Sequence, residues 1–307
     1  MPQTGLKGVL SPVVTPVDEE MKPDVGRWIA HCRWLLSQNC GLAVFGTNSE
    51  ANSFSLDERL GLLDAGIESG LDPSRMMPGT GACAIPDAVT MTRRAVEHGC
   101  AGILMLPPFY YKGVSDDGLF AFFERVIQEV GDDRLRVYLY HIPQVSQVPI
   151  SLDLIERLLA AYPGVVAGIK DSSGDWSNTK AMLERFENFD VFAGSETFLL
   201  DTMRGGGAGC ISATANINPA AIHDVYANWT SNDAKERQRK ISEFREAVSR
   251  FPMIPALKAA VSWATGIESW RLVRPPLTPL DADTRKSFVD MLEERGFSMP
   301  GIEQPTA

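Results

Sequence analysis

The sequence predicts an α/β fold, a (β/α)8 TIM barrel with a C-terminal three-helix extension. Three observations carry that expectation. Short β-rich runs alternate with amphipathic stretches of helical length, eight times over about 230 residues. Several of the runs are almost continuously apolar, as parallel strands covered on both faces are. Beyond about Asn228 only helical periodicity remains. Residues 1–228 are therefore expected to form the barrel, a catalytic domain, and residues 229–307 the helical extension. A doubly wound open sheet is the competing topology.

The strand candidates begin with "GVLSPVVTPV" at Gly8, "GLAVFGT" at Gly41, "RMMPGTGA" at Arg75 and "GILMLPP" at Gly102. "RVYLYHIP" at Arg136, "VVAGIKDSS" at Val165, "FDVFAGSE" at Phe189 and "AGCISATAN" at Ala208 complete the eight. Between the first two runs, "DVGRWIAHCRWLL" places Trp28, Cys32 and Leu35 on one helical face by i, i+4, i+7 spacing. After the second, Ser55 and Glu58 read as a capping box at the head of "SLDERLGLLDAGIE". Ser151 is a candidate N-cap for "SLDLIERLLAAY". "RGGGAGC" lacks a GK[ST] ending, so it reads as a helix-to-strand turn and not as a phosphate cradle. The tail helices are "DAKERQRKISEFREAVSRF", "MIPALKAAVSWATG" and "ADTRKSFVDMLEERG", the last two joined by the Pro-rich "VRPPLTPL".

The 307 residues are 44% hydrophobic and 22% charged, with a formal net charge of −10 and no dense basic cluster. That balance argues against nucleic acid and anionic membrane surfaces as partners. The N-terminus lacks a basic segment followed by an apolar core, and no apolar run approaches the roughly 20 residues of a membrane span. A cytoplasmic location is expected. Cys32, Cys40, Cys83, Cys100 and Cys210 are odd in number and form no CxxC pair, so they are expected to be reduced packing residues.

In barrels of this type the reacting groups stand at the C-terminal ends of strands. Those ends read "GTNSE", "PPFYY", "YHIP", "KDSS", "GSE" and "SATAN". They offer hydroxyls, amides and one lysine, but no cluster of histidines with carboxylates, so no metal centre is expected. Lys170 closes an apolar strand. Burial disfavours an ammonium, which makes such an amine a nucleophile toward carbonyls. The alternative is an ion pair with Asp171 or Glu196. Alternation puts Tyr138 and Tyr140 on one side of their strand, and a phenol near an amine can move protons; the alternative is a rim tyrosine with an ordinary partner. "GTNSE" offers a tight loop of amides suited to a carboxylate, or a plain turn. His31, His98, His141 and His223 are scattered and read as ordinary residues, and Trp263 and Trp270 as packing for the tail helices.

Taken in order, "GTNSE", "PPFYY", "YHIP", "GIKDSSGD", "GSE" and "GCISATAN" resemble the dihydrodipicolinate synthase / N-acetylneuraminate lyase family of Schiff-base-forming class I aldolases, across almost the whole chain. The resemblance implies that Lys170 forms a Schiff base with the C2 carbonyl of a 2-oxo acid, typically pyruvate. Tyr140 would be the acid/base, Thr47 would bond Tyr140, and Tyr111 would complete a proton relay from a neighbouring subunit. Thr47 and Asn48 would hold the substrate carboxylate, with Ser172, Gly194, Glu196, Ile211 and Ser212 around the rest. It further implies no cofactor beyond the covalent Lys170 adduct, a small-molecule 2-oxo acid partner, and a homotetramer built as a dimer of dimers.

Two departures bear on the substrate. Synthases of this family carry an arginine shortly after the tyrosine motif, where "YHIPQVSQVP" has Val145. The loop reads "GTNSE" in place of "GTTGE" or "GSTGE". Both point to a lyase or dehydratase acting on a hydroxy- or deoxy-2-oxo acid. They count against condensation of pyruvate with aspartate semialdehyde, the 4-hydroxy-tetrahydrodipicolinate synthase reaction. A non-catalytic sensor of 2-oxo acids is the alternative of another class, against which the intact Lys170, Tyr140 and Thr47 argue.

Overall fold

The computed structural model of the chain describes residues 6–302. Among these residues seven parallel strands are regular: β1 (Gly8–Ser11), β2 (Gly41–Leu42), β3 (Ile103–Met105), β4 (Val137–His141), β5 (Val166–Asp171), β6 (Asp190–Ala193) and β7 (Gly209–Ile211). Hydrogen-bonded neighbours run β7-β6-β5-β4-β3 in one group and β2-β1 in another. The eighth expected strand, the run at Arg75, shrinks to a single parallel bridge between Gly79 and Leu104. Its residues still exchange ladder bonds with β3: Leu104 N–H donates to Pro78 O at 2.8 Å and Thr80 N–H to Leu104 O at 3.0 Å. Proline cannot donate, and a Cβ at Gly81 would stand 2.4 Å from Leu106 N, so the segment runs too close and too donor-poor for a regular strand.

The chain divides into two compact units. One contains Asp72–Ile211 with the segment leading to Gly8. Here β3 to β7 pair in register, Leu104 with Tyr138, Tyr140 with Lys170, Lys170 with Phe192 and Phe192 with Gly209. The strands are buried along nearly their whole length, as their apolar runs require. Gly168 lies where Tyr138 crosses: a Cβ there would meet the Tyr138 ring at 2.7 Å and Asp190 O at 2.2 Å. The helix Leu152–Ala161 starts at the expected cap, with Leu154 N–H donating to Ser151 Oγ at 3.0 Å. "RGGGAGC" is the turn between the helix Leu199–Arg204 and β7.

The other unit contains Val9–Leu71 and the chain from Ser212 onward. It holds the β1–β2 pair, with Leu10 opposite Gly41, and the three tail helices Ala234–Val248, Met253–Thr265 and Ala282–Glu294. On the helix Val25–Ser37, Trp28, Cys32 and Leu35 are fully buried, as their spacing requires. The Ser55–Glu58 capping box is present in both directions, at 3.2 and 2.8 Å. Trp270 is buried and Trp263 packs on Phe297. None of the five cysteines is in a disulfide; Cys83 is exposed and so is not the packing residue expected of it. Among the described residues no helix is long and apolar enough to cross a membrane.

Candidate active site

The centre of the first unit is a tyrosine beside a lysine. Tyr140 and Lys170 are register partners on β4 and β5, and paired residues of parallel strands point to the same face. Lys170 Nζ lies 4.3 Å from the centroid of the Tyr140 ring. Both residues are sequestered, with 3% of Lys170 and 4% of Tyr140 exposed. Lys170 forms no ion pair among the described residues. Asp171, the nearest acid in sequence, faces away and accepts from Ser173 N–H at 2.9 Å, Asn178 Nδ2 at 3.1 Å and Thr179 Oγ1 at 2.7 Å. Those bonds fix the turn that starts the helix Trp176–Arg185, so the acid is consumed by the fold. Glu196 is buried within its own turn, Glu196–Phe198.

The second tyrosine of the strand has a different task. Tyr138 donates its hydroxyl to Asp190 Oδ2 at 3.1 Å, at the start of β6, and its ring packs edge-on against Phe192. Burial, reinforced by Asp190, pushes its phenol up from the ordinary value. His141 Nδ1 accepts from Ile150 N–H at 3.0 Å and pins the segment after β4. Burial lowers its imidazole, opposed by Asp171.

Beyond the strand ends the ladder continues. Ser172 N–H donates to His141 O and Gly194 N–H to Asp171 O, each at 2.7 Å. A Cβ at Gly194 would stand 2.1 Å from Ser172 Oγ, 2.6 Å from Ser172 Cα and 2.7 Å from Asp171 O, so only glycine lets β6 close against the residue after Lys170's neighbour. Ile211 ends β7 fully buried. Tyr111 is 72% exposed, edge-on to an equally exposed Tyr110, with Val114 and Val145 also exposed.

In the second unit the chain leaves β2 through a constrained loop. Phe45 and Glu50 both adopt left-handed backbone, φ 60° and 58°, on either side of the tight turn Thr47–Ser49. Such conformations cost about 1–3 kcal/mol each and persist only where the surroundings hold them. Phe45 is held by stacking on Trp28, centroids 6.1 Å apart. Glu50 is held by a buried network that the sequence reading missed. Its Oε2 accepts from Arg274 N–H at 2.8 Å, and its Oε1 is ion-paired with Lys258 Nζ, both side chains fully buried. Lys258 also donates to Leu272 O at 2.7 Å. Burial pulls the Lys258 ammonium down from its ordinary value, opposed by Glu50.

Arg274 extends the network by donating to Ser53 O at 2.7 Å and pairing with Glu58, whose carboxyl that guanidinium holds at about 2. The available signal was a lone lysine inside the apolar helix run "MIPALKAAVSW". Thr47 and Asn48 ride on this anchored turn, half-buried, and with Met253, Leu277 and Leu280 they line a cavity of about 470 Å³. Ser212 is fully buried, and its N–H donates to Leu10 O at 3.2 Å. Asn216, missed by the sequence reading, holds the segment after β1 by accepting from Val14 N–H at 2.9 Å and donating to Pro12 O at 3.1 Å.

Comparison with known proteins agrees with this layout. A sequence profile described as the dihydrodipicolinate synthetase family matches residues 5–295. An uncharacterized DapA-like lyase of Chloroflexus aurantiacus is 33% identical over 277 residues, covering 89% of this chain and 92% of its own. A 4-hydroxy-tetrahydrodipicolinate synthase of Azoarcus sp. is 30% identical over 298 residues, covering 95% and 99%. The crystal structure of dihydrodipicolinate synthase from Agrobacterium tumefaciens superposes with a TM-score of 0.86 at 35% identity, covering 94% of this chain and 98% of that one. The fold is the α/β barrel of these proteins, with the C-terminal helices present.

Proposed function

The chain belongs to the dihydrodipicolinate synthetase family and is a lyase, and on that premise we propose that it works through a Schiff base between Lys170 and the C2 carbonyl of a 2-oxo acid. The observation that carries the reading is the Tyr140–Lys170 pair: a buried amine with no carboxylate partner among the described residues, 4.3 Å from a buried phenol's ring. The amine attacks C2, and loss of one water gives the iminium. That cation accepts the electron pair when the C3–C4 bond breaks or a C3 proton leaves, giving an enamine. Tyr140 hands protons to and from the departing hydroxyl and C3. Thr47 orients the Tyr140 hydroxyl, and Thr47 and Asn48 hold the carboxylate with turn amides. Ser172, Gly194, Glu196, Ile211 and Ser212 surround the rest of the substrate. The electron sink is made from Lys170 itself, so the scheme calls for no metal or organic cofactor.

Tyr111 enters this scheme from a neighbouring subunit of a homotetramer. Its exposure, with Tyr110, Val114 and Val145, supports an assembly that covers it. The synthase names of two relatives favour a second reading, condensation of pyruvate with aspartate semialdehyde; Val145, exposed where an arginine would meet that aldehyde's carboxylate, counts against it. The test is incubation with pyruvate followed by borohydride reduction. The expected product carries the mass of one pyruvic acid less one oxygen atom on the peptide containing Lys170, and Lys170→Ala abolishes it. Unchanged trapping in that variant refutes the assignment.

A further inference from the structure

The loop between β3 and the helix Asp116–Val130 is held by one side chain. From Pro107 to Val114 it forms no backbone–backbone hydrogen bond among the described residues, and its two prolines have no N–H to give. Lys112 supplies the missing tie. Its ammonium donates to Phe109 O, which closes the loop on itself, and to Ser146 O at 2.8 Å, which hooks it to the segment after β4. No carboxylate pairs with Lys112 among the described residues, so these two carbonyls are its partners. The anchor is stiff. Ser146 is buried, and it donates to Ile142 O twice, from Oγ at 3.0 Å and from N–H at 2.9 Å. In the same turn Gln144 Nε2 donates to Ser172 O at 2.5 Å. Lys112 thus ties Tyr110 and Tyr111 to a turn that is fastened to the segments following both Tyr140 and Lys170.

We infer that Lys112 is a positioning residue: it latches this loop in the pose from which Tyr111 reaches a second copy of the chain. The inference rests on the reading of Tyr111 as a relay group given to a neighbouring subunit. Tyr110 and Tyr111 stand edge-on, ring centroids 5.2 Å apart, each 72% exposed. Without the latch, a stretch that has no backbone ladder must be ordered when two copies meet, and every residue ordered then costs conformational entropy. With it, the loop is pre-organised before contact. An ammonium suits the task, because it donates to more than one carbonyl at once and, at an exposed position, needs no counter-ion. Methionine in the same place keeps most of the aliphatic stem and loses both bonds. A relay phenol transfers protons only within hydrogen-bond reach, so releasing the loop slows proton transfer and leaves Lys170 itself intact.

The test follows Lys112→Met and Lys112→Arg by two readouts. Sedimentation velocity over a dilution series gives the concentration at which the assembly is half dissociated. Proton NMR in D2O, at one protein concentration, gives the rate at which pyruvate C3–H is replaced by deuterium through the Lys170 enamine. Lys112→Met is expected to raise the half-dissociation concentration by about tenfold or more. It is expected to slow exchange by about tenfold or more, since a positioned acid/base group contributes about 10²–10⁴ in rate. The final extent of borohydride trapping at Lys170 should match wild type, a split that general loosening of the site would not give. Lys112→Arg keeps donors for the carbonyls and should return both readouts to within about threefold of wild type. Lys112→Gln stands in should the methionine variant not fold. A monomeric wild type, a folded methionine variant unchanged in either readout that wild type shows, or an arginine variant equally impaired overturns the inference. Absence of trapping and exchange in wild type sinks the Schiff-base reading alone, and sedimentation then decides the latch.

Discussion

Replacing Lys258 by methionine should be far more damaging than its distance from Lys170 in sequence suggests. Lys258 and Glu50 are both fully buried, so the substitution leaves a carboxylate in the interior with its counter-ion gone and Leu272 O without its donor. Removing one member of such a pair costs about 3–5 kcal/mol, mostly the desolvation of the survivor. Unfolding entropy of about 2 cal/mol/K per residue, over 307 residues, converts that to a melting point lower by roughly 5–8 °C. Thermal denaturation followed by circular dichroism reads the shift. In Glu50→Gln/Lys258→Met the stranded charge is gone, while the introduced amide still offers an oxygen to Arg274 N–H, so the double variant should recover more than half of the loss. A single variant within about 1 °C of wild type, or a double variant no more stable than the single one, would refute the claim that Lys258 exists to neutralise Glu50. Because Glu50 sets the left-handed end of the Thr47–Ser49 turn, the single variant should also need a higher pyruvate concentration for half-maximal trapping at Lys170.

Two further outcomes follow from the packing. Gly194→Ala places a methyl 2.6 Å from Ser172 Cα, a backbone atom that no rotamer change relieves, so it should lose about 1–3 kcal/mol and slow pyruvate trapping at Lys170; a variant with wild-type melting and trapping rate would show that β6 shifts freely there. His31 is buried between Trp34 and Trp270, and burial holds its imidazole at about 4 against an ordinary 6.5. The unfolded chain therefore binds the proton that the folded chain refuses: the contribution is whole above about pH 6.5 and falls by about 3 kcal/mol toward pH 4, and a chemical-denaturation series across that window should lose most of this slope in His31→Phe. An unchanged slope would assign the acid sensitivity elsewhere.

What could be read from the sequence divides along the range of the forces involved. The periodicities of "DVGRWIAHCRWLL" and "VVAGIKDSS", the Ser55–Glu58 box and the Ser151 cap depend on neighbours within one turn or one strand, and each took the expected form. The run at Arg75 failed as a strand because backbone donors and clearance at Pro78 and Gly81 depend on the neighbouring chain at Leu104 and Leu106, which no window of sequence contains. The same limit hid the Glu50 network. Glu50 and Arg274 N–H are 224 positions apart, and nothing local marks either as buried.

Lys170 and Lys258 show how the same residue type separates once partners are known. Both are lysines sealed in apolar surroundings, with 3% and 0% of their surface exposed. Lys258 has a carboxylate and a carbonyl within bonding distance, so its charge is satisfied and its amine engaged. Lys170 has an aromatic face and, among the described residues, no acid in ion-pair range, while its adjacent acid Asp171 is saturated by three donors from the following turn. Asp171 follows Lys170 on the strand and so points to the opposite face, where it is engaged by Ser173, Asn178 and Thr179. Retaining a buried amine under these conditions is costly to folding, and that cost makes sense where the amine has a carbonyl to meet.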